Sequence, residues 1–352
     1  MTTVEPHGMS GTAATRVAES RTTDDRTTED RAIEDRAIEA RATEAGGEVS
    51  VVTVKRVSAA QRAKDAAPRW LLDSANAATR AWGVATAGLR PMPDFLITGT
   101  KRGGTTSLWN NLLRHPQVIG MYPQIRGRKS SDFFFAADQH SLSWYRSHFP
   151  SALHRRARSR RAGDAVSGEA SPYYMYGPHC PQLIRAAAPD TKIIILLRDP
   201  VARAYSHYQE RRQQGVEDLD FEAALAAEEG RLAPDDARWA TDPSYYSEAH
   251  DFFSYRSRGV YLPQVQRVLQ AFPREQVLIM RSEDFTENYQ AAFDEVSGFL
   301  GLDRHDLGLA EHHNRIPRSP MSERTRADLA AYYRPHNEAL EEFLGRDFGW
   351  PG

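Results

Sequence analysis

Lys101 and Arg102 stand inside a glycine turn, Gly99-Thr100-Lys101-Arg102-Gly103-Gly104-Thr105-Thr106, and two cations in such a turn suit one task, holding an anionic group. Gly103 and Gly104 supply backbone freedom that side-chained residues lack. Against the phosphate-loop pattern G-x-x-x-x-G-K-[ST], Gly99, Gly104 and Thr106 are correctly spaced, but Thr105 stands at the lysine position. Positive charge is therefore carried at a different point of the cradle, which argues against ordinary ATP or GTP hydrolysis. A further cation, Arg198, ends the apolar run that begins at Lys192 and is followed at once by Asp199-Pro200, a helix start.

The elements that must position these groups are legible around them. Phe95, Leu96 and Ile97 read as a strand buried on both faces and Thr105 to Leu113 as a helix, whose first N–H groups and positive dipole end face the turn. Lys192 to Gln209 repeats the strand-then-helix arrangement, and ligands in open α/β sheets bind beyond the carboxyl ends of strands, so Arg198 can share one nucleotide with Gly103 and Thr105. Val118 to Met121 and Val277 to Met280 are further strands. Phe221 to Gly230, Tyr289 to Leu300 and the stretch from Ser322 are helical, and Trp70, Leu71, Leu72, Ala77, Trp82 and Leu89 form a helix packed on the domain. The dense basic run His154 to Arg161 reads as an exposed loop. The expected fold is α/β, a P-loop-like, mainly parallel sheet flanked by helices on both faces, spanning 67–352.

At this point the chain resembles the sulfotransferases that use 3′-phosphoadenosine-5′-phosphosulfate (PAPS), whose first motif is a loop of the type K-x-G-T-T or K-G-G-T. Arg102 falls at that family's catalytic lysine. Arg198, Asp199, Pro200, Arg203, Ser206 and Tyr208 match the motif R-D-P-x-x-R-x-x-S-x-Y. The resemblance implies that Arg198 and Ser206 hold the 3′-phosphate, that Lys101, Arg102, Gly103, Gly104, Thr105 and Thr106 hold the rest of the donor, and that Arg315 and Arg318 fold over the nucleotide. It implies in-line transfer of a sulfuryl group to a hydroxyl or amine of a glycan or small-molecule acceptor, leaving the 3′,5′-bisphosphate PAP, with no metal required. Lys101 is a candidate proton donor. Heparan-sulfate-type relatives carry K-E-x-H-F-F where this chain has Lys129-Ser130-Ser131-Asp132-Phe133-Phe134, so Ser130 replaces the glutamate that takes the acceptor's proton. Asp132, the nearest carboxylate, and Glu169, in a segment similar to E-K-S-P-x-Y, are both candidates for that base, with His207 behind them. Two other readings stand beside this one: a PAP-binding protein without catalysis, suggested by Ser130, and a P-loop phosphotransferase.

Composition sets outer bounds. With 352 residues, 40% of them hydrophobic, the chain holds a substantial core, and a net charge of −2 gives no case for nucleic-acid binding. Cys180 is the only cysteine, so no internal disulfide forms, and no Cys/His spacing suits zinc. Neither a signal peptide nor a membrane span is legible, and the expected compartment is the cytoplasm. Met1 to Ser50 has six arginines against eleven Asp and Glu and few large apolar residues, with five-residue repeats from Arg16 to Ala45 that match no helical or solenoid period. Residues 1–66 are expected to be a disordered tail and linker. Composition leaves the oligomeric state open.

Overall fold

Apolar runs set the strands, and their order sets the site. The computed structural model describes residues 38–41, 51–54, 68–122, 129–135, 140–308 and 321–350. The chain divides into two units, Met1–Pro68 and Arg69–Gly352. In the first, Ile38–Arg41 pairs antiparallel with Val51–Val54, a run of three valines and a threonine with strong strand preference. These two strands fall within the stretch expected to be a tail; the rest of that stretch lies outside the described residues.

In the second unit the order is helix α1 (Arg69–Ala85), strand β1 (Phe95–Gly99), α2 (Thr105–Leu112), β2 (Val118–Ile119), α3 (Ala152–Ala162), β3 (Val166–Ala170) and α4 (Cys180–Ala187). Then come β4 (Lys192–Leu197), α5 (Pro200–Gln213), α6 (Phe221–Thr241), α7 (Glu248–Phe252), α8 (Leu262–Ala271), β5 (Val277–Arg281), α9 (Tyr289–Leu300) and α10 (Glu323–Leu344). The strands line up as β2-β3-β1-β4-β5, and every neighbouring pair is parallel. All five residues of β1 are buried, as a central parallel strand requires. Alternate residues feed two cores. Leu96, Ile193, Ile195 and Ile279 pack with Ile184, Val265, Val268 and Leu340 from α4, α8 and α10, while Phe95, Ile97, Ile194 and Leu196 pack with Trp109, Leu112, Phe293 and Val296 from α2 and α9. Helices therefore cover both faces.

The strand order reverses between β1 and β4, because the chain runs from β1 outward to β2 and β3 and returns to the far side of β1 at β4. That switch point opens a crevice at the carboxyl ends of the two strands, where Thr100 and Arg198 begin their loops.

Three elements differ from the expectation. β3, Val-Ser-Gly-Glu-Ala, has neither an apolar run nor alternation, yet Gly168 lets it pack tightly, since a Cβ there would lie 2.4 Å from the carbonyl oxygen of Phe95. The basic run His154 to Arg161 is helix α3, not a loop: Ser151 caps it by accepting from the His154 N–H at 3.3 Å, and none of its residues is buried. Helix α1 packs through Arg80, which donates to Ser147 at 2.8 Å, and through Gly83, while Trp70, Leu71 and Trp82 are exposed. Among the described residues no helix is long and apolar enough to cross a membrane.

Candidate functional site

The turn after β1 is fixed from below by backbone bonds. The Thr100 N–H donates to the Leu196 carbonyl of β4 at 2.9 Å, the Gly103 N–H to the Thr100 carbonyl at 2.8 Å, and the Ser282 hydroxyl to the Gly103 carbonyl at 2.6 Å. Arg102 and Gly104 take left-handed backbone angles, φ 69° and 89°. Gly104 is the N-cap of α2 and offers no side-chain cap, so the start of that helix turns its N–H groups and positive dipole end toward the cradle. A Cβ on Gly103 would sit 2.8 Å from the Leu196 carbonyl oxygen and 2.9 Å from that of Thr100, both backbone atoms. Gly103→Ala is therefore expected to cost about 1–3 kcal/mol of stability, read by thermal melting; an alanine variant that melts as wild type contradicts this account of the cradle.

Three cations converge here, where the sequence pointed to two. Lys101 is buried, with its ammonium 3.2 Å from Asp251 Oδ1, 3.9 Å from Glu210 Oε2 and 5.0 Å from the centre of the Tyr173 ring. Burial, reinforced by Arg258 and Arg211, brings its pKa down to about 7 against the opposing pull of Asp251 and Glu210. Arg102 lies across α5, donating from Nε to Ser206 Oγ at 3.0 Å and from a terminal nitrogen to Glu210 Oε1 at 2.8 Å. Lys129 donates to Thr106 Oγ1 at 2.8 Å, and burial lowers its pKa too. Its place in the Lys129-Ser130-Ser131 segment was the signal available for it. Thr105 is buried, 3.5 Å from the Lys129 ammonium.

The expected bases separate sharply. Glu169 is fully buried and its two oxygens accept from the Ser131 N–H (2.8 Å), the Ser131 hydroxyl (2.9 Å), Tyr145 (3.0 Å) and Tyr174 (2.8 Å). Burial raises its pKa to about 7, and the bonds from Ser131 and Tyr174 hold it back. As arranged, Glu169 anchors the Ser131 turn, with both oxygens occupied by donors from the protein. His207 is fully buried, and burial together with Lys101, Arg258, Arg203 and Arg211 holds its pKa well below the usual range, so it stays neutral behind the loop. Asp132 is half-buried with a left-handed φ of 55°, and its Oδ1 accepts from the hydroxyls of Ser130 and, at 2.6 Å, Ser171. Among the three, it alone reaches solvent.

The second landmark meets the first at the crevice. Asp199 caps α5 by accepting from the N–H groups of Val201 and Ala202 at 3.0 and 3.3 Å. Arg198 donates to the Arg102 carbonyl at 2.9 Å and lines a cleft of about 500 Å³ with Arg102, Gly104, Arg281, Ser282 and Trp350. Ser206 is fully buried beneath Arg102, so in this arrangement it supports the guanidinium rather than facing the cleft. Trp350, stacked on Phe348 with ring centres 4.5 Å apart, was not foreseen as a cleft residue. Arg315 and Arg318 lie outside the described residues. The glycine cradle and the cations about it suit an anionic group, while Asp199, Glu283 and Glu287 also line the cleft. Among the described residues no group of three or more His, Cys, Asp or Glu could hold a metal ion.

Comparison with known proteins points the same way. The model of the sulfotransferase domain matches residues 92–331. The membrane-associated sulfotransferase kil1 of Dictyostelium discoideum is 24% identical over 74% of this chain and 66% of its own length. Human heparan sulfate glucosamine 3-O-sulfotransferase 6 is 28% identical over 75% of each chain. The crystal structure of a sulfotransferase from Alicyclobacillus acidocaldarius superposes with a TM-score of 0.54 at 28% identity, covering 73% of this chain and 97% of that one. These names lend no support to the expected cytoplasmic compartment.

Proposed function

The chain belongs to the sulfotransferase domain family, and on that premise we propose that it moves a sulfuryl group from PAPS to a hydroxyl or amine of a glycan or small-molecule acceptor, leaving PAP. The observation that carries this reading is the convergence of Lys101, Arg102 and Lys129 on one glycine cradle that lacks the lysine of a triphosphatase loop.

PAPS supplies a sulfuryl group on a phosphate leaving group, and the chain's work is to bind it and to stabilise charge. The uncapped first turn of α2 and the Thr105 and Thr106 hydroxyls hold the 5′-phosphate, and Arg198 holds the 3′-phosphate. Arg102 carries a permanent charge against the leaving phosphate oxygen, the place where negative charge grows during transfer. Lys101, with a pKa near 7, can give that oxygen a proton, which a guanidinium does poorly. Ser206 keeps Arg102 in place.

Lys101 gives PAP binding a pH dependence whose sign is fixed. Its lowered pKa means that it is cationic below about 7 and loses charge above it, so PAP affinity should fall as pH rises through that value. Lys101→Arg should remove the fall, because a guanidinium stays charged. Calorimetry across pH checks both statements; a fall of equal size in the arginine variant assigns it to another group.

The phosphotransferase reading is separated by ligand preference. PAP should bind at least about 100-fold more tightly than Mg·ATP, since only PAP places a phosphate on Arg198. Equal affinities would remove the basis of the assignment.

A further inference from the structure

Four carboxylates surround the loop cations, and they differ in what already occupies them. Glu169 is saturated by fixed donors. Asp251 accepts from Lys101 at 3.2 Å, Arg211 at 3.0 Å and Tyr246 at 2.7 Å, which together with Arg258 hold its pKa below the usual carboxylate range despite burial. Asp132 is tied through Oδ1 to two serine hydroxyls that shape its own turn. Glu210 is different. Among the described residues its Oε1 is held by Arg102 alone at 2.8 Å, and its buried Oε2, with Lys101 3.9 Å away, accepts no hydrogen bond. Its side chain is 22% exposed, and it projects from α5 one turn after Ser206, so the guanidinium of Arg102 spans the two.

Glu210 thus holds Arg102, a cation that the donor's leaving group needs. Resting on the sulfotransferase reading above, we propose that Glu210 is the residue that takes the acceptor's proton, and that donor binding frees it by drawing Arg102 away. In the free protein the Glu210 carboxylate neutralises Arg102. An anionic donor competes for the same guanidinium, and Oε1 is then released beside the reacting centre, on a helix whose register fixes it. The acceptor oxygen or nitrogen forms a bond to sulfur, the bond from sulfur to the bridging phosphate oxygen breaks with its electron pair leaving on PAP, and the acceptor proton passes to Glu210. Ser130, at the position of the family's usual glutamate, then needs no substitute within its own loop. Among the described residues, the charged groups facing Glu210 are Lys101 and Arg102 from the cradle, Lys129 from the segment after β2, and Asp251 beyond Lys101.

Two readouts test this, one of them independent of turnover. Glu210→Gln removes a competitor for Arg102 and should tighten PAP binding on the order of tenfold in calorimetry, whereas Glu210→Asp keeps the charge and should bind near the wild-type value. Unchanged or weaker PAP binding by Glu210→Gln overturns the proposal. In transfer from labelled PAPS to a panel of phenols, alcohols and amines, Glu210→Gln should lose about 10²- to 10⁴-fold in turnover together with the acid limb of the pH–rate profile, with Glu210→Asp restoring the limb. Asp132→Asn should keep it. An acid limb that vanishes in Asp132→Asn and survives in Glu210→Gln gives the role to Asp132. A wild-type protein that binds PAP yet transfers to no acceptor contradicts the sulfotransferase reading instead, so the two failures are distinguishable.

Discussion

Arg102→Ala lowers the turnover of sulfuryl transfer by about 10²- to 10³-fold, the usual loss when one fixed donor to a developing oxyanion is removed, while PAP affinity falls by less than about tenfold. The asymmetry follows from the site. On the proposed reading, PAP as ground-state ligand is held mainly by the α2 first turn and by Arg198, whereas the charge that Arg102 meets is largest during transfer. The carboxylate of Glu210 also offsets part of any ground-state gain, because it must be displaced first. Arg102→Lys retains a large part of the rate, since a lysine keeps the charge and donates a proton readily, but it gives up the fork that spans Ser206 and Glu210. Steady-state kinetics beside calorimetry separate the two effects. Parallel loss of turnover and affinity would make Arg102 a ground-state anchor and nothing more.

Arg198→Ala weakens PAP by about 30- to 100-fold and adenosine 5′-phosphate by only a few-fold, the difference being one charge-assisted contact to the 3′-phosphate. The smaller loss is not zero, because Arg198 also donates to the Arg102 carbonyl and steadies the cradle at 2.9 Å. The ratio of the two losses is therefore the quantity to measure. Equal losses would show that Arg198 acts only through the loop.

How much of this was legible in the sequence follows from which forces leave a local signature. β1 and β4 announce themselves because a central parallel strand is apolar on both faces, and helix α9 was placed at the same residues as in the structure by its spacing. β3 was invisible for a converse reason: its residues are small and polar because Phe95 crowds Gly168 and because Glu169 must accept four bonds from Ser131, Tyr145 and Tyr174, demands imposed by neighbours outside the strand itself. Helix α3 escaped because it buries nothing, so no periodicity marks it and only Ser151 hints at its start. In the candidate site, Arg102, Arg198 and the glycines were singled out by motif, since a backbone cradle needs particular residues at fixed spacing. Glu169 illustrates the opposite limit, a carboxylate whose full burial no local pattern announces. Glu210 was missed because nothing local distinguishes it from an exposed helix glutamate; its meaning comes from Arg102, 108 residues earlier.

The central claim is best tested by incubating the wild-type chain with sulfur-labelled PAPS and a mixed panel of phenol, alcohol, amine and glucosaminyl acceptors, and following both label and nucleotide. Label should move to at least one acceptor with one PAP formed for each sulfate transferred, and the movement should be abolished or slowed at least about 100-fold in Arg102→Ala. PAP bound tightly with no label transferred to any acceptor, or label transferred at the wild-type rate by Arg102→Ala, would contradict it.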